Sequence, residues 1–126
     1  MTRAIRLFVL IEGAAFLAAA LTHFGVLIGG YEHQMAGRAE SVIGIVLLAG
    51  LALTGILPAS TRAIALVVQA FALAGTFVGI FTIIVGVGPR TVPDVVYHVA
   101  ITLVLAVGIA VARRAPPDSV GDEARS

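Results

Sequence analysis

"FVLIEGAAFLAAALTHFGVLIGG" (residues 8–30) holds a glutamate, Glu12, and a histidine, His23, inside an otherwise apolar run. A helix crosses the hydrocarbon layer of a bilayer with about 20 apolar residues, and the apolar stretch from about residue 5 to 29 meets that length. "DVVYHVAITLVLAVGIAVARR" (residues 94–114) reads the same way, with His98 one turn in from its start. Two further runs complete a set of four spans, at about 5–29, 37–57, 62–87 and 93–113. Each is bounded by Gly, Pro or Arg. A cleaved signal peptide is the rival reading of the first run, but the run is long for such a segment and Glu12 sits inside it.

Composition agrees. The 126 residues are 60% hydrophobic and only 12% charged, about half the charge of a typical soluble domain. The expected class is therefore an all-α integral membrane protein, with the lipid bilayer as its first partner. All eight basic residues are arginines and the net charge is +1, which leaves no basic patch for nucleic acid. The absence of cysteine excludes disulfides, thiolate metal ligands and a thiol nucleophile.

Arginine placement gives an expected orientation. Arg3, Arg6, Arg62, Arg113, Arg114 and Arg125 fall on one side of a four-span chain, and only Arg38 and Arg90 on the other. Arginines stay cytoplasmic, so both termini are expected inside, in the inner (plasma) membrane. Short connections make consecutive helices antiparallel neighbours. The expected architecture is an up-down-up-down four-helix bundle over residues 1–114, with a polar, Pro-rich tail over 115–126 expected to be disordered.

Small residues favour close packing in lipid. Ala14, Ala15, Ala18 and Ala19 smooth the first helix, Gly44, Gly50 and Gly55 thin the second, and Gly75 and Gly79 form a G-x-x-x-G in the third. These surfaces serve equally for packing within the chain, in a homo-oligomer or in a larger membrane complex. The fourth helix has a readable start: Thr91 is placed to cap it, Asp94 three residues on completes a capping box, and Pro93 fits the first turn.

A polar side chain at membrane depth costs a few kcal/mol and faces the bundle interior. With a rise of 1.5 Å per residue, His23 lies roughly 9 Å below the outer end of its span and His98 roughly 7 Å below the outer end of the fourth. Glu40 is one turn into the second. With Asp94, these residues are expected to share one outer layer and form a ligand or metal pocket, His23, Glu40, Asp94 and His98, with Glu32 and His33 in the loop above. Glu12 and Gln69 are each about two turns in from the inner end of their helices. They are expected to hydrogen-bond as a second, inner node for a proton or substrate. Glu12 and His23 are eleven residues apart, three turns, and share a face.

Three functions are compatible with these residues. The outer set suits a metal ion, as two histidines and one carboxylate, or a b-type haem between His23 and His98. Alternatively, an intramembrane glutamate in the first helix of a four-span chain of this length is similar to the small multidrug-resistance exporters. That resemblance covers chain length, span count and Glu12, and it implies proton-coupled transport of a small cationic molecule using Glu12. Finally, each polar group can be an interhelical hydrogen bond in a structural or accessory subunit without a ligand. No local motif assigns a catalytic residue, and Ser41 beside Glu40 is better explained by bonding back to the preceding turn.

Overall fold

The computed structural model describes residues 1–118. Four α-helices follow one another, α1 (Thr2–His23), α2 (Gln34–Ile56), α3 (Thr61–Val85) and α4 (Val92–Arg114), with a single 3₁₀ turn at Pro58–Ser60. All four are long and apolar enough to cross a membrane. The chain is an all-helical, multi-pass membrane protein.

Its surface is consistent with lipid as solvent. Leu7, Ile11, Ile45, Val67, Phe77, Phe81 and Leu103 are exposed. In water so large an apolar surface would drive association. The interior is a thin seam of Phe16, Ile43, Leu47, Val68, Ile101 and Leu105. Polar groups lie within it, because Glu12 and Gln69 are both fully buried.

Glycines set the helix separations. A Cβ added to Gly13 on α1 would lie 2.7 Å from Leu48 of α2, and one added to Gly44 on α2 would lie 2.8 Å from Leu17 of α1. Each helix thus seats a leucine over a glycine of the other. The same exchange joins α2 to α3, where Val68 lies over Gly50 (2.7 Å from the added Cβ) and Ile43 over Gly75 (2.6 Å). Gly79, the second glycine of the G-x-x-x-G, receives His98 of α4 at 2.9 Å. Both glycines of that motif are used inside the chain.

The first helix stops at His23, six residues short of the expected end of its span. Gly25 and Gly30 take left-handed backbone angles (φ 73° and 94°), which glycine adopts without a steric penalty. The His33 amide then donates to the His23 carbonyl at 2.8 Å, closing the loop. Residues 26–28 are apolar yet turn. His33 caps α2, its Nδ1 accepting from the Ala36 amide at 3.2 Å. The expected capping box opens α4, with Thr91 and Asp94 bonded reciprocally.

Two contacts pin the far end of the bundle. Arg6 of α1 donates to the Thr54 carbonyl (2.5 Å) and hydroxyl (3.1 Å) near the end of α2. Asp118 accepts from the amides of Arg62 (3.1 Å) and Ala63 (2.8 Å) at the start of α3, where a negative charge complements the helix dipole. The expected disorder of the tail therefore concerns residues 119–126, which lie outside the described residues.

The interlock makes a direct prediction. Gly13→Val and Gly50→Val should each destabilise the bundle by about 1–3 kcal/mol through overpacking. Gly55→Ala, where an added Cβ meets nothing within 4 Å, should stabilise it by about 0.5–1 kcal/mol. Reversible unfolding in detergent micelles measures all three.

Candidate functional site

His23, the last residue of α1, is clamped between two carboxylates. Its Nδ1 lies 2.6 Å from Glu40 Oε2 on α2, and its Nε2 lies 2.9 Å from Asp94 Oδ1 on α4. The residues are only 3%, 5% and 7% exposed, in the order His23, Glu40, Asp94. Ending α1 at His23 places the ring where α2 and α4 both begin.

Proton counting gives the charge of this set. Each of the two hydrogen bonds holds one proton. With both protons on the ring, the set is an imidazolium between two carboxylates. With one proton on a carboxyl, the imidazole is neutral and the other carboxylate remains charged. In either distribution the net charge is one negative. A buried net charge carries a large desolvation penalty, so the set favours a third proton or a nearby cation.

The oxygens of Asp94 are both committed. Oδ1 serves His23, and Oδ2 accepts from the Thr91 amide at 3.1 Å and from the Thr91 hydroxyl. Glu40 Oε2 serves His23, and Oε1 takes part in no hydrogen bond among the described residues.

Two cavities flank the set. One, of about 480 Å³, lies against α1 and α4 and is lined by His23, Asp94, Tyr97, Tyr31 and alanines of α1 down to Ala15. The Tyr97 hydroxyl is buried without a partner, and its ring packs edge-on against Phe16. The other cavity, of about 220 Å³, lies against α2 and α3 and is lined by Glu40, His33, Gly79, Thr82 and His98.

Of the four residues expected to share one pocket, His23, Glu40 and Asp94 meet. His98 does not join them. Its Nδ1 bonds the Asp94 backbone carbonyl at 2.7 Å, and its ring turns toward Gly79 and the smaller cavity. Since a carbonyl only accepts, Nδ1 carries a proton, and in the neutral ring Nε2 has a lone pair. Above the set, the His33 ring sits 6.4 Å from that of His23. Glu32 accepts from the Gly30 amide at 3.0 Å; its own amide and that of Gly30 hold its carboxyl below the ordinary range.

Glu12 and Gln69 are hydrogen-bonded to one another. The Gln69 amide Nε2 lies 3.0 and 3.1 Å from the two Glu12 oxygens. Gln69 Oε1 is buried without a partner, and an amide turned by half a rotation would present it to accept a hydrogen bond from a protonated Glu12. Sequence reading missed Gly108 of α4. A Cβ there would collide with both Glu12 and Gln69, so this glycine makes the room the pair occupies. It also missed the Arg6–Thr54 contact. An arginine set on the interior face of a helix was the available signal for it.

In this arrangement His23 offers no free nitrogen to the expected metal ion or haem. Both His23 nitrogens are taken, and freeing one would strand a buried carboxylate. Among the described residues, no group of three or more His, Asp or Glu side chains is placed to hold a metal ion. The fold and site define a four-helix membrane protein with an imidazole–dicarboxylate set at one end and a carboxyl–amide pair deeper in. No protein-family model, curated protein or solved structure matches the chain.

The inner node can be tested by a double-mutant cycle. Gly108→Ala should destabilise the fold by about 1–3 kcal/mol through the clash. Adding Glu12→Ala should recover part of that loss, because it removes one of the two groups the new methyl meets. Additive losses in a denaturant titration would show that the clash lies elsewhere.

Proposed function

We propose that this protein is a proton-coupled transporter for a small amphipathic cation, with the cavity beside α1 and α4 as the binding site. The observation that carries the reading is the buried Glu40–His23–Asp94 set at the head of a cavity of about 480 Å³. Its net negative charge can be neutralised by a third proton or by a cation in the cavity. Competition of the two for one charge is the elementary requirement of exchange. The walls are alanines and aromatic rings, suited to the apolar body of such a cation. The cavity reaches Ala15, one turn from Glu12, so the buried carboxyl lies next along the path.

The reading includes an orientation. Both termini are cytoplasmic, the bundle runs up-down-up-down in the plasma membrane, and the His23 set lies near the outer face. Six arginines against two support it. So do the polar contacts, since His23–Glu40 and Arg6–Thr54 tie opposite ends of α1 and α2.

Binding of tetraphenylphosphonium to the purified chain tests the exchange. Competition predicts that Kd rises by about tenfold per pH unit as pH falls through the range where the set takes its third proton. An imposed pH gradient should drive the cation across proteoliposomes, and Glu12→Gln should abolish that flux. A copurifying haem absorption band, a stoichiometric bound metal, or binding indifferent to pH would overturn the reading.

Reporter fusions at Ser126 test the orientation. Alkaline phosphatase should be inactive there and a fluorescent protein bright, and the reverse pattern should hold for phosphatase inserted after Gly88.

A further inference from the structure

The two cavities approach the Glu40–His23–Asp94 set from opposite sides. His23 and Asp94 line the larger, and Glu40 lines the smaller. Glu40 therefore separates the proposed cation site from a second space that the cation reading leaves without a role. That space also holds His98, whose Nε2 takes no hydrogen bond among the described residues.

The third proton has few places to go. His23 already shares both nitrogens, and both oxygens of Asp94 already accept. Glu40 Oε1 is the one oxygen of the set with no hydrogen bond among the described residues. We propose that the smaller cavity is a proton inlet, that Glu40 Oε1 is the acceptor, and that His98 Nε2 relays the proton to it. The inference rests on the proton-coupled reading above and names the group and route that serve it.

The step balances. A proton from water in the cavity forms an N–H bond at His98 Nε2, making an imidazolium whose Nδ1–H still donates to the Asp94 carbonyl. The Nε2–H bond then breaks, directly or across one water, as an O–H bond forms at Glu40 Oε1. The neutral imidazole is restored, and the set gains one positive charge as it becomes neutral. Removing that proton restores the charge that attracts the cation. The other ionisable groups around Glu40 are His23 from α1, His33 from the α1–α2 loop, and Asp94 and Tyr97 from α4. On α3 the walls are Gly75, Val78, Gly79 and Thr82, none ionisable. Gly79 also leaves the room the His98 ring occupies, since a Cβ there would lie 2.9 Å from Nε2.

Infrared difference spectroscopy on the full chain in lipid nanodiscs tests this without any cation. A downward pH jump should produce the carbonyl band of a protonated carboxylic acid. The band should be retained in Glu12→Gln, which removes the other buried carboxyl, and lost when Glu40→Gln is added. In His98→Gln it should reach the same amplitude about a hundredfold more slowly, the lower end of what a positioned acid–base group contributes. Gly79→Ala, which crowds the same nitrogen and leaves the histidine in place, should also slow it. A band that survives Glu40→Gln, or a rate unchanged in both His98→Gln and Gly79→Ala, overturns the proposal. If tetraphenylphosphonium fails to bind while the band behaves as stated, the cation reading falls and the proton inlet stands.

Discussion

Hydrocarbon offers no hydrogen-bond partner, so each polar side chain between these helices must find one within the protein. The serine and threonine hydroxyls within the helices do so locally, whereas the Tyr97 hydroxyl is left without a partner. Thr22, Ser41, Thr54, Thr61, Thr76, Thr82 and Thr102 each donate to a carbonyl three or four residues earlier. His98 follows the same habit, its ring bonding a carbonyl four residues back. What cannot be satisfied within one helix is left to join helices. In this chain that means Glu12 with Gln69, His23 with Glu40 and Asp94, and Arg6 with Thr54.

These pairings depend on close approach, which the small residues supply. Dispersion between apolar side chains does not discriminate strongly among helix neighbours when the solvent is equally apolar. Shape does. A leucine over a glycine in each direction fixes how α1 meets α2, and branched side chains over Gly50 and Gly75 fix how α2 meets α3. Gly108 shows the link between shape and polarity most directly. Its missing side chain is the space in which the Glu12–Gln69 pair lies, so steric fit at one position permits a hydrogen bond between two other helices.

Much of this was legible in the sequence, for a physical reason. The helices follow from apolar run length, and the start of α4 from Thr91, Pro93 and Asp94, because these depend on neighbours along the chain. The Glu12–Gln69 pair followed from matched depth. Depth is one coordinate only, and the grouping of His98 with His23 exceeded it. Both lie near the same end, yet Asp94 sends its carboxylate to His23 while its carbonyl holds His98 facing Gly79. The end of α1 was hidden for another reason. Hydropathy counts apolar residues whatever their backbone, and Val26, Leu27 and Ile28 are apolar in a turn. Gly25, Gly29 and Gly30 carried the signal that the helix had stopped.

The placement of the polar pairs singles out α1. It bonds α2 through His23–Glu40 and Arg6–Thr54, α3 through Glu12–Gln69, and α4 through His23–Asp94. No other helix has polar side-chain bonds to all three neighbours among the described residues. Three of these ties contain an imidazole or a carboxyl group, and the two side chains that α1 contributes to them, Glu12 and His23, lie on one face, three turns apart. A change in proton count at either node therefore changes what holds α1 to the rest of the bundle. Beside that face Ala15, Ala18 and Ala19 border the larger cavity together with His23, and their small side chains offer little steric resistance there. The element with the most charge-sensitive ties thus also walls the cavity, a coincidence that the proposed exchange of proton and cation requires.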